Sequence, residues 1–249
     1  NQTLSVHKAK GRLQVLSDML QGGAAVEGTV GIGHTRWATH GAPSDVNSHP
    51  QVSQNGKIAV VHNGIIENYA ELKAFLTDKG MTFTSDTDTE VVAQMIEYFY
   101  EGDILQAVDR VLHRIEGAYA LGIICADAPD QIIAVRKDSP LILGYGDGCN
   151  FLASDVTAII KYTREVGYME DGEVAVLTRD GIQCYNYLMQ PIEKEITHVD
   201  WEIDAAEKGG YEHFMLKEIM EQPEALRRCI FPRIKDGEVW FEDFGLTED

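Results

Sequence analysis

The chain has 249 residues, of which 44% are hydrophobic, so it is long enough to bury the core of one large domain or of two small ones. It contains 40 acidic against 21 basic residues, which gives a formal charge of −19. This excess of negative charge repels the phosphates of nucleic acids and of anionic membranes, so we expect neither as a partner.

The first half of the chain mixes short apolar runs with segments of helical periodicity. Three segments are predicted strands: residues 4–8, 29–34 and 57–62. Four are predicted helices: residues 13–20, 65–76, 91–99 and 104–115. Gly80 is expected to end the second helix, and Thr87 with Glu90 forms a candidate capping box before the third.

Beyond Gly117 the pattern changes to short runs of β-forming residues separated by Asp, Pro and Gly. The predicted strands are residues 118–126, 131–136, 141–145, 151–154, 173–177 and 181–187. The last two flank a turn at residues 179–181 and predict a hairpin. A last helix is predicted for residues 212–229, bent or restarted at Pro223. Because the strands are grouped and do not alternate with helices, the pattern favours an α+β fold of antiparallel sheets covered by helices.

The cysteines and the hydropathy indicate the compartment. The four cysteines show no Cys-x-x-Cys spacing and are few for a disulfide scaffold of this length. The first 20 residues lack the apolar segment of a signal peptide, and no apolar run approaches the roughly 18 residues of a transmembrane helix. We therefore expect a protein of the reducing cytoplasm.

Two charged residues in separate segments are suited to the two ends of a free amino acid. Arg36 follows an apolar segment and stands beside Trp37, and its planar guanidinium matches a carboxylate; the alternative is a surface ion pair. Asp88 precedes a predicted helix and would hold an ammonium group; the alternative is that it only caps the helix N-terminus.

The pair Asn63-Gly64 has two interpretations. An Asn-Gly pair after a strand is most often a hairpin turn. The following residues, however, have helical spacing, which favours a strand-to-helix elbow. Such an elbow would direct the side-chain amide of Asn63 and the backbone N–H of Gly64 to one point, where they could stabilise a tetrahedral oxyanion. We expect His62 to orient the elbow.

Histidines are frequent near these segments: His34, His40, His49 and His62. They do not share a His-x-x-x-His spacing on a helix, and no paired cysteines accompany them. We therefore expect core packing or polar contacts and no metal ion, with a metallohydrolase as the weaker alternative.

Taken in order along the chain, these motifs resemble the family of glutaminase domains of glucosamine-6-phosphate synthases. The segments that carry the resemblance are residues 33–43, 47–50, 60–68, 85–90, 117–119, 153–155 and 211–223. The resemblance implies a class II glutamine amidotransferase with the N-terminal-nucleophile hydrolase fold, a four-layer α/β/β/α sandwich of antiparallel sheets. It also implies hydrolysis of glutamine to glutamate, with the ammonia delivered to fructose-6-phosphate in a separate sugar-isomerising domain. It implies no cofactor, and a homo-oligomer for the full-length enzyme.

The resemblance also assigns roles to individual residues. Arg36 would bind the carboxylate of glutamine and Asp88 its amino group, while Asn63 and Gly64 would form the oxyanion hole. A mobile loop that closes over glutamine would carry the remaining three substrate-binding residues, Trp37, Thr39 and His40.

One departure from the family affects the expected activity. The family begins with a cysteine that attacks the amide, and this chain begins with Asn1. We therefore expect residues 1–232 to be an N-terminally incomplete glutaminase domain and residues 233–249 to begin a linker to the sugar-isomerising domain. As given, the chain is expected to be inactive, and the alternative is a non-catalytic module that binds glutamine or glutamate.

Overall fold

The computed structural model describes residues 3–36, 39–200, 209–235 and 237–240. The chain divides into two compact units, residues 1–199 and residues 200–249. Within the described ranges, no helix has the length and apolar character needed to cross a membrane.

Strands dominate the first unit. In chain order they are β1 (Gln51–Val52), β2 (Ile58–Ile66), β3 (Gly117–Cys125), β4 (Ala128–Lys137), β5 (Ile142–Tyr145), β6 (Asn150–Ala153), β7 (Glu165–Tyr168), β8 (Glu173–Thr178), β9 (Ile182–Tyr185), β10 (Pro191–Ile192) and β11 (Thr197–His198). Among the described residues they form a large antiparallel sheet in the order β1-β2-β3-β4-β8-β9-β10 and a small one in the order β11-β7-β5-β6. The pairing of β2 with β3 runs without interruption from Ile58 opposite Cys125 to Ile66 opposite Gly117.

One face of the large sheet packs against helices. The helices of the first unit are α1 (Leu13–Met19), α2 (Tyr69–Asp78), α3 (Thr89–Phe99) and α4 (Ile104–Leu112). Alternate residues of the strands meet the apolar stripes of the helices in one buried core, because side chains alternate across a strand. Its centre includes Ile58, Val60, Ile66, Leu121, Ile123, Val91, Met95, Ile96 and Val108. The side chain of Asp103 begins α4 by accepting the N–H groups of Leu105 and Gln106.

The other face of the large sheet packs against the small sheet. Small residues of the large sheet (Ala120, Ala134 and Ala175) share a buried cluster with Leu141 and Leu143. On the far face of the small sheet, a third cluster joins residues of β5 and β7 to a 3-10 turn at Val156–Ala158 and its neighbours. The predicted α+β fold built from two antiparallel sheets is therefore confirmed.

The second unit contains α5 (Phe214–Ile230), a 3-10 turn (Phe231–Arg233) and a short hairpin of β12 (Ile234–Lys235) and β13 (Glu238–Val239). The helix continues through Pro223, where the sequence predicted a bend or a restart. Residues 241–249 of the predicted linker lie outside the described residues. The predicted domain boundary after residue 232 stays a prediction.

Two details of the sequence-based assignment were wrong. Residues 4–8 and 29–34, predicted as strands, have no regular secondary structure, because no described strand pairs with them. Ile65 and Ile66, predicted as the first apolar positions of a helix, are the last residues of β2, and α2 begins only at Tyr69.

Candidate active site

A cavity of about 310 Å³ lies where the end of β2, the start of α3 and residues 34–36 and 39–40 meet. Six of the seven predicted site residues line it: Arg36, Thr39, His40, Asn63, Gly64 and Asp88. The seventh, Trp37, lies outside the described residues. Side chains from three distant segments of the chain therefore surround one opening of a size suited to an amino acid.

The pair Asn63-Gly64 forms neither a hairpin turn nor the predicted strand-to-helix elbow. Both residues lie inside β2, with Asn63 opposite Ala120 and Gly64 opposite Tyr119 on β3. Gly64 has φ of +124°, and a Cβ built on it would lie 2.0 Å from the carbonyl oxygen of Ala118. Glycine is required here by backbone conformation and by the close approach of β3.

The hydrogen-bond phase of β2 decides where the N–H of Gly64 points. Glu67 donates its N–H to Glu116 at one end of the pairing, and Lys57 accepts from Ala126 at the other. Backbone hydrogen bonds alternate along an antiparallel strand. The N–H and C=O groups of the odd-numbered residues of β2 therefore bond to β3, and those of the even-numbered residues point away from it. In the described structure β1 pairs only with Ala59 and Val60. The N–H of Gly64 therefore points to the open edge of the sheet.

Asp88 faces the same open edge. It occupies the residue before α3, but its carboxylate accepts no hydrogen bond from the first turn of that helix. Instead its Oδ2 accepts the N–H of Ile66, the next even-numbered residue after Gly64, at 2.8 Å. Asp88 is 4% exposed and lines the cavity. The alternative of a simple helix cap is therefore wrong for its side chain.

Arg36 is half-buried and is held by the loop that follows it. Its Nη2 donates to the carbonyl oxygens of His40 and of Gly41 (3.0 Å for Gly41), and its Nη1 donates to Ala42 at 3.4 Å. These acceptors are uncharged carbonyls, so the alternative of a surface ion pair does not describe this arginine. Its positive charge stays available to a bound anion.

The loop after Arg36 is fixed from its other side by the buried residue Asn47. The amide of Asn47 donates to the carbonyl of Ala42 at 2.9 Å and accepts the N–H of Asp86 at 3.0 Å. A Cβ on Gly41 would lie 2.7 Å from that amide nitrogen. Asn47 thereby ties the loop of Arg36 to the segment that precedes Asp88.

His34 contacts the Asn63 side chain directly. Its Nε2 lies 2.7 Å from Oδ1 of Asn63, and its ring lies 4.4 Å from that of His49. Burial lowers the pKa of His34, and the nearby Arg36 adds to this, while the bond to Asn63 acts in the opposite direction. The ring is therefore neutral at pH 7.

Two further histidines at the cavity are neutral for the same reason. Burial, followed by the charges of neighbouring histidines, lowers the pKa of His49 to about 3. Burial also lowers the pKa of His62 to about 4, although the Asp88 carboxylate acts to raise it. Nδ1 of His62 contacts the hydroxyl of Thr89 at 2.9 Å. His62 therefore does not orient an elbow; it joins β2 to the first residue of α3.

Among the described residues, no cysteine or serine lines the cavity, and the hydroxyl-bearing residues that do are Thr39, Thr87 and Thr89. Thr89 is 1% exposed and its hydroxyl is engaged by His62, so it cannot attack a bound amide. Cys125 and Cys184 are buried in the cores and Cys149 and Cys229 are exposed; none of the four lines the cavity. Within the described ranges, no group of three His, Cys, Asp or Glu residues is arranged to hold a metal ion.

Sequence reasoning did not identify three of these contacts: His34 with Asn63, Asn47 with Ala42 and Asp86, and Thr89 with His62. The contacts of His34 with Asn63, of Asn47 with Asp86 and of Thr89 with His62 join residues that are far apart in the sequence, so no local spacing indicates them. The only sequence signal was the high frequency of histidines and of small polar residues in these segments.

Comparison with known proteins gives consistent results. The family described as "Glutamine amidotransferase domain" matches residues 34–161. The glutamine–fructose-6-phosphate aminotransferase (isomerizing) of Caldanaerobacter subterraneus is 52% identical over 250 residues, covering 100% of this chain and 41% of the relative. The enzyme of the same name from Clostridium acetobutylicum is 50% identical over 247 residues, covering 99% and 40%. The chain thus spans about 40% of the length of these curated relatives.

Among solved structures, the fold is similar to that of glutamine phosphoribosylpyrophosphate amidotransferase from B. subtilis, complexed with ADP and GMP. The TM-score is 0.54 at 26% sequence identity, and the match covers 64% of this chain and 35% of that one.

Proposed function

The chain belongs to the glutamine amidotransferase domain family, and we propose that it is the glutamine-hydrolysing part of a glutamine–fructose-6-phosphate aminotransferase. The relatives of that name, about 50% identical over nearly the whole chain, support this assignment. In this proposal residues 1–232 are the glutaminase domain and residues 233–249 begin the linker to a sugar-isomerising domain that uses fructose-6-phosphate. The full-length enzyme would be a cytoplasmic homo-oligomer that needs no cofactor.

The observation that carries the proposal is the grouping of opposite charges and amide donors around one cavity. Arg36 would bind the α-carboxylate of glutamine with the guanidinium N–H groups that its loop does not use. Asp88 would bind the α-ammonium through Oδ1, because Oδ2 already accepts the N–H of Ile66. His40, whose Nδ1 lies 3.9 Å from Oδ1 of Asp88, would close this end of the site together with Trp37 and Thr39.

The oxyanion formed at the amide carbon would be bound by the Asn63 side chain and the Gly64 N–H. These donors come from adjacent residues. The Asn63 side chain projects from a face of the sheet, whereas the Gly64 N–H lies in the plane of the sheet. Each donor of this kind contributes typically 10²–10³ to the rate. The attacking thiol would come from a cysteine outside these 249 residues, since no cysteine of this chain lines the cavity.

The same observation favours a second candidate, a module that binds glutamine or glutamate without hydrolysing it. Calorimetry of the 249-residue chain with each ligand, together with an ammonia assay, tests the ligand binding that both candidates require. We expect binding without ammonia release from the chain alone. Ammonia release would overturn the assignment of the nucleophile to a cysteine outside the chain, and the absence of binding of either ligand would overturn both candidates.

Variants make the binding test specific. Asp88→Asn keeps an acceptor for Ile66 but removes the charge, and a hydrogen bond to a charged group contributes about 1.5–3 kcal/mol. We therefore expect glutamine to bind roughly 10- to 150-fold more weakly. Asp127→Asn, which alters a surface ion pair with Lys57 away from the cavity, is the matched control. Equal affinities of the two variants would refute the role of Asp88.

A further inference from the structure

The contact between His34 and Asn63 bears on how an oxyanion donor is kept in position. The side-chain amide of asparagine has an acceptor end and a donor end of nearly the same shape. Only the donor end, Nδ2, can stabilise an oxyanion; the acceptor end would repel it. Something must therefore decide which end faces the cavity.

His34 is placed to make that choice. Its Nε2 lies 2.7 Å from Oδ1 of Asn63, and among the described residues this is the only side-chain hydrogen bond of that amide. An oxygen accepts only from an N–H, so Nε2 carries the single proton of the neutral ring. With Oδ1 held in this way, Nδ2 is the end left for the cavity.

The opposite tautomer would reverse the amide. A bare Nε2 would accept from Nδ2, and Oδ1 would then turn toward the cavity. The tautomer of His34, on a segment 29 residues before Asn63, thus determines whether the site presents a donor or an acceptor. His34 also has a buried Nδ1 without a partner among the described residues, so its one described side-chain hydrogen bond is the one to Asn63.

We propose that His34 is a positioning residue: its Nε2–H holds the carbonyl oxygen of the Asn63 side chain and so keeps Nδ2 directed into the cavity as an oxyanion donor. This role rests on the proposed function, because it assumes that negative charge develops beside Asn63. The hydrogen bond itself can be measured without any ligand.

The first test is NMR of the ¹⁵N-labelled 249-residue chain at pH 7, using long-range ¹H–¹⁵N correlations of the imidazole rings. We expect His34 as the Nε2–H tautomer, and we expect Asn63→Ala to shift its ring nitrogens. The exposed His113, whose Nδ1 contacts the carbonyl of Asp109, is the internal control. An Nδ1–H tautomer, or a His34 ring that Asn63→Ala leaves unchanged, would overturn the proposal.

The second test compares ligands. Glutamate carries a negative oxygen where glutamine carries a neutral one, so the Nδ2 donor should favour glutamate in particular. We expect His34→Leu to weaken glutamate binding about tenfold or more and glutamine binding less. His34→Gln, which keeps an N–H donor, should restore most of the loss, and His113→Leu should change neither affinity.

Thermal unfolding curves show whether each variant is folded. Equal losses for both ligands, or no rescue by His34→Gln in a folded variant, would reduce His34 to a structural residue and refute the proposal. If the unsubstituted chain binds neither ligand, the proposed function fails, and the tautomer measurement then decides only whether His34 orients the Asn63 amide.

Discussion

Replacing Gly64 with alanine tests the strand geometry on which the site depends. At its φ of +124°, an L-residue is strained by about 1–2 kcal/mol. The added Cβ would lie 2.0 Å from the carbonyl oxygen of Ala118 and 2.8 Å from its carbon, and neither main-chain atom can rotate away. Relief requires β2 and β3 to separate locally and to weaken several ladder bonds, each worth about 1 kcal/mol. We expect Gly64→Ala to lower the free energy of unfolding by about 3–5 kcal/mol.

Gly80→Ala is the matched control for this variant. Gly80 also has a positive φ, +87°, but a Cβ there would meet nothing within 4 Å. Gly80→Ala should therefore lower the free energy of unfolding only by the backbone strain, about 1 kcal/mol. Urea unfolding with linear extrapolation measures both variants. If Gly64→Ala were no more destabilised than Gly80→Ala, the close approach of β2 to β3 would be refuted, and with it the direction assigned to the Gly64 N–H.

Acidification should destabilise the fold through His49 and His62, whose folded pKa values of about 3 and about 4 lie below the 6.5 of the unfolded chain. As the pH falls from 6.5 toward 4, the unfolded chain binds protons that the folded chain does not, so each histidine should lower the unfolding free energy by roughly 1.4 kcal/mol per pH unit. In a pH series of urea titrations, His49→Gln should show a shallower slope of unfolding free energy against pH. A slope identical to that of the unsubstituted chain would contradict the assignment. An aromatic disulfide reagent should label Cys149 and Cys229 in the folded chain, and label Cys125 and Cys184 only after unfolding, because the latter are buried and burial raises the pKa of the Cys184 thiol. Rapid labelling of all four thiols in the folded chain would refute this core packing.

Periodicity in the sequence was enough to predict α3, α4 and the hairpin of β8 and β9, because their burial patterns are local. The prediction from periodicity failed where an apolar residue fits both the helical and the strand repeat. Ile65 and Ile66 suit the first turn of a helix and equally the end of a strand. Their pairing with Ala118 and Gly117 decides between the two, and that pairing joins residues about 50 positions apart.

The sequence indicated which residues line the candidate site, but it did not indicate how they are arranged. An aspartate before a helix has the same sequence signature whether it caps the helix or turns away from it, as Asp88 does. The contact between His34 and Asn63 has no signature at all, because both residues would also fit ordinary packing roles. Which residues converge on a cavity depends on strand register, and register is a non-local property.

The geometry of the candidate site in this chain therefore depends directly on the register of β2 against β3. Shifting β2 by one residue against β3 would turn the Gly64 N–H into the ladder and move the Asn63 side chain to the face that packs on the helices, because both alternate with a period of two. Such a shift is blocked at two adjacent places: Gly64 lies against the main chain of Ala118, and a Cβ on Gly117 would lie 2.2 Å from the carbonyl of Ile65. Only the observed register places a glycine at both contacts. The glycines that allow the strands to approach therefore also fix which backbone N–H reaches the cavity.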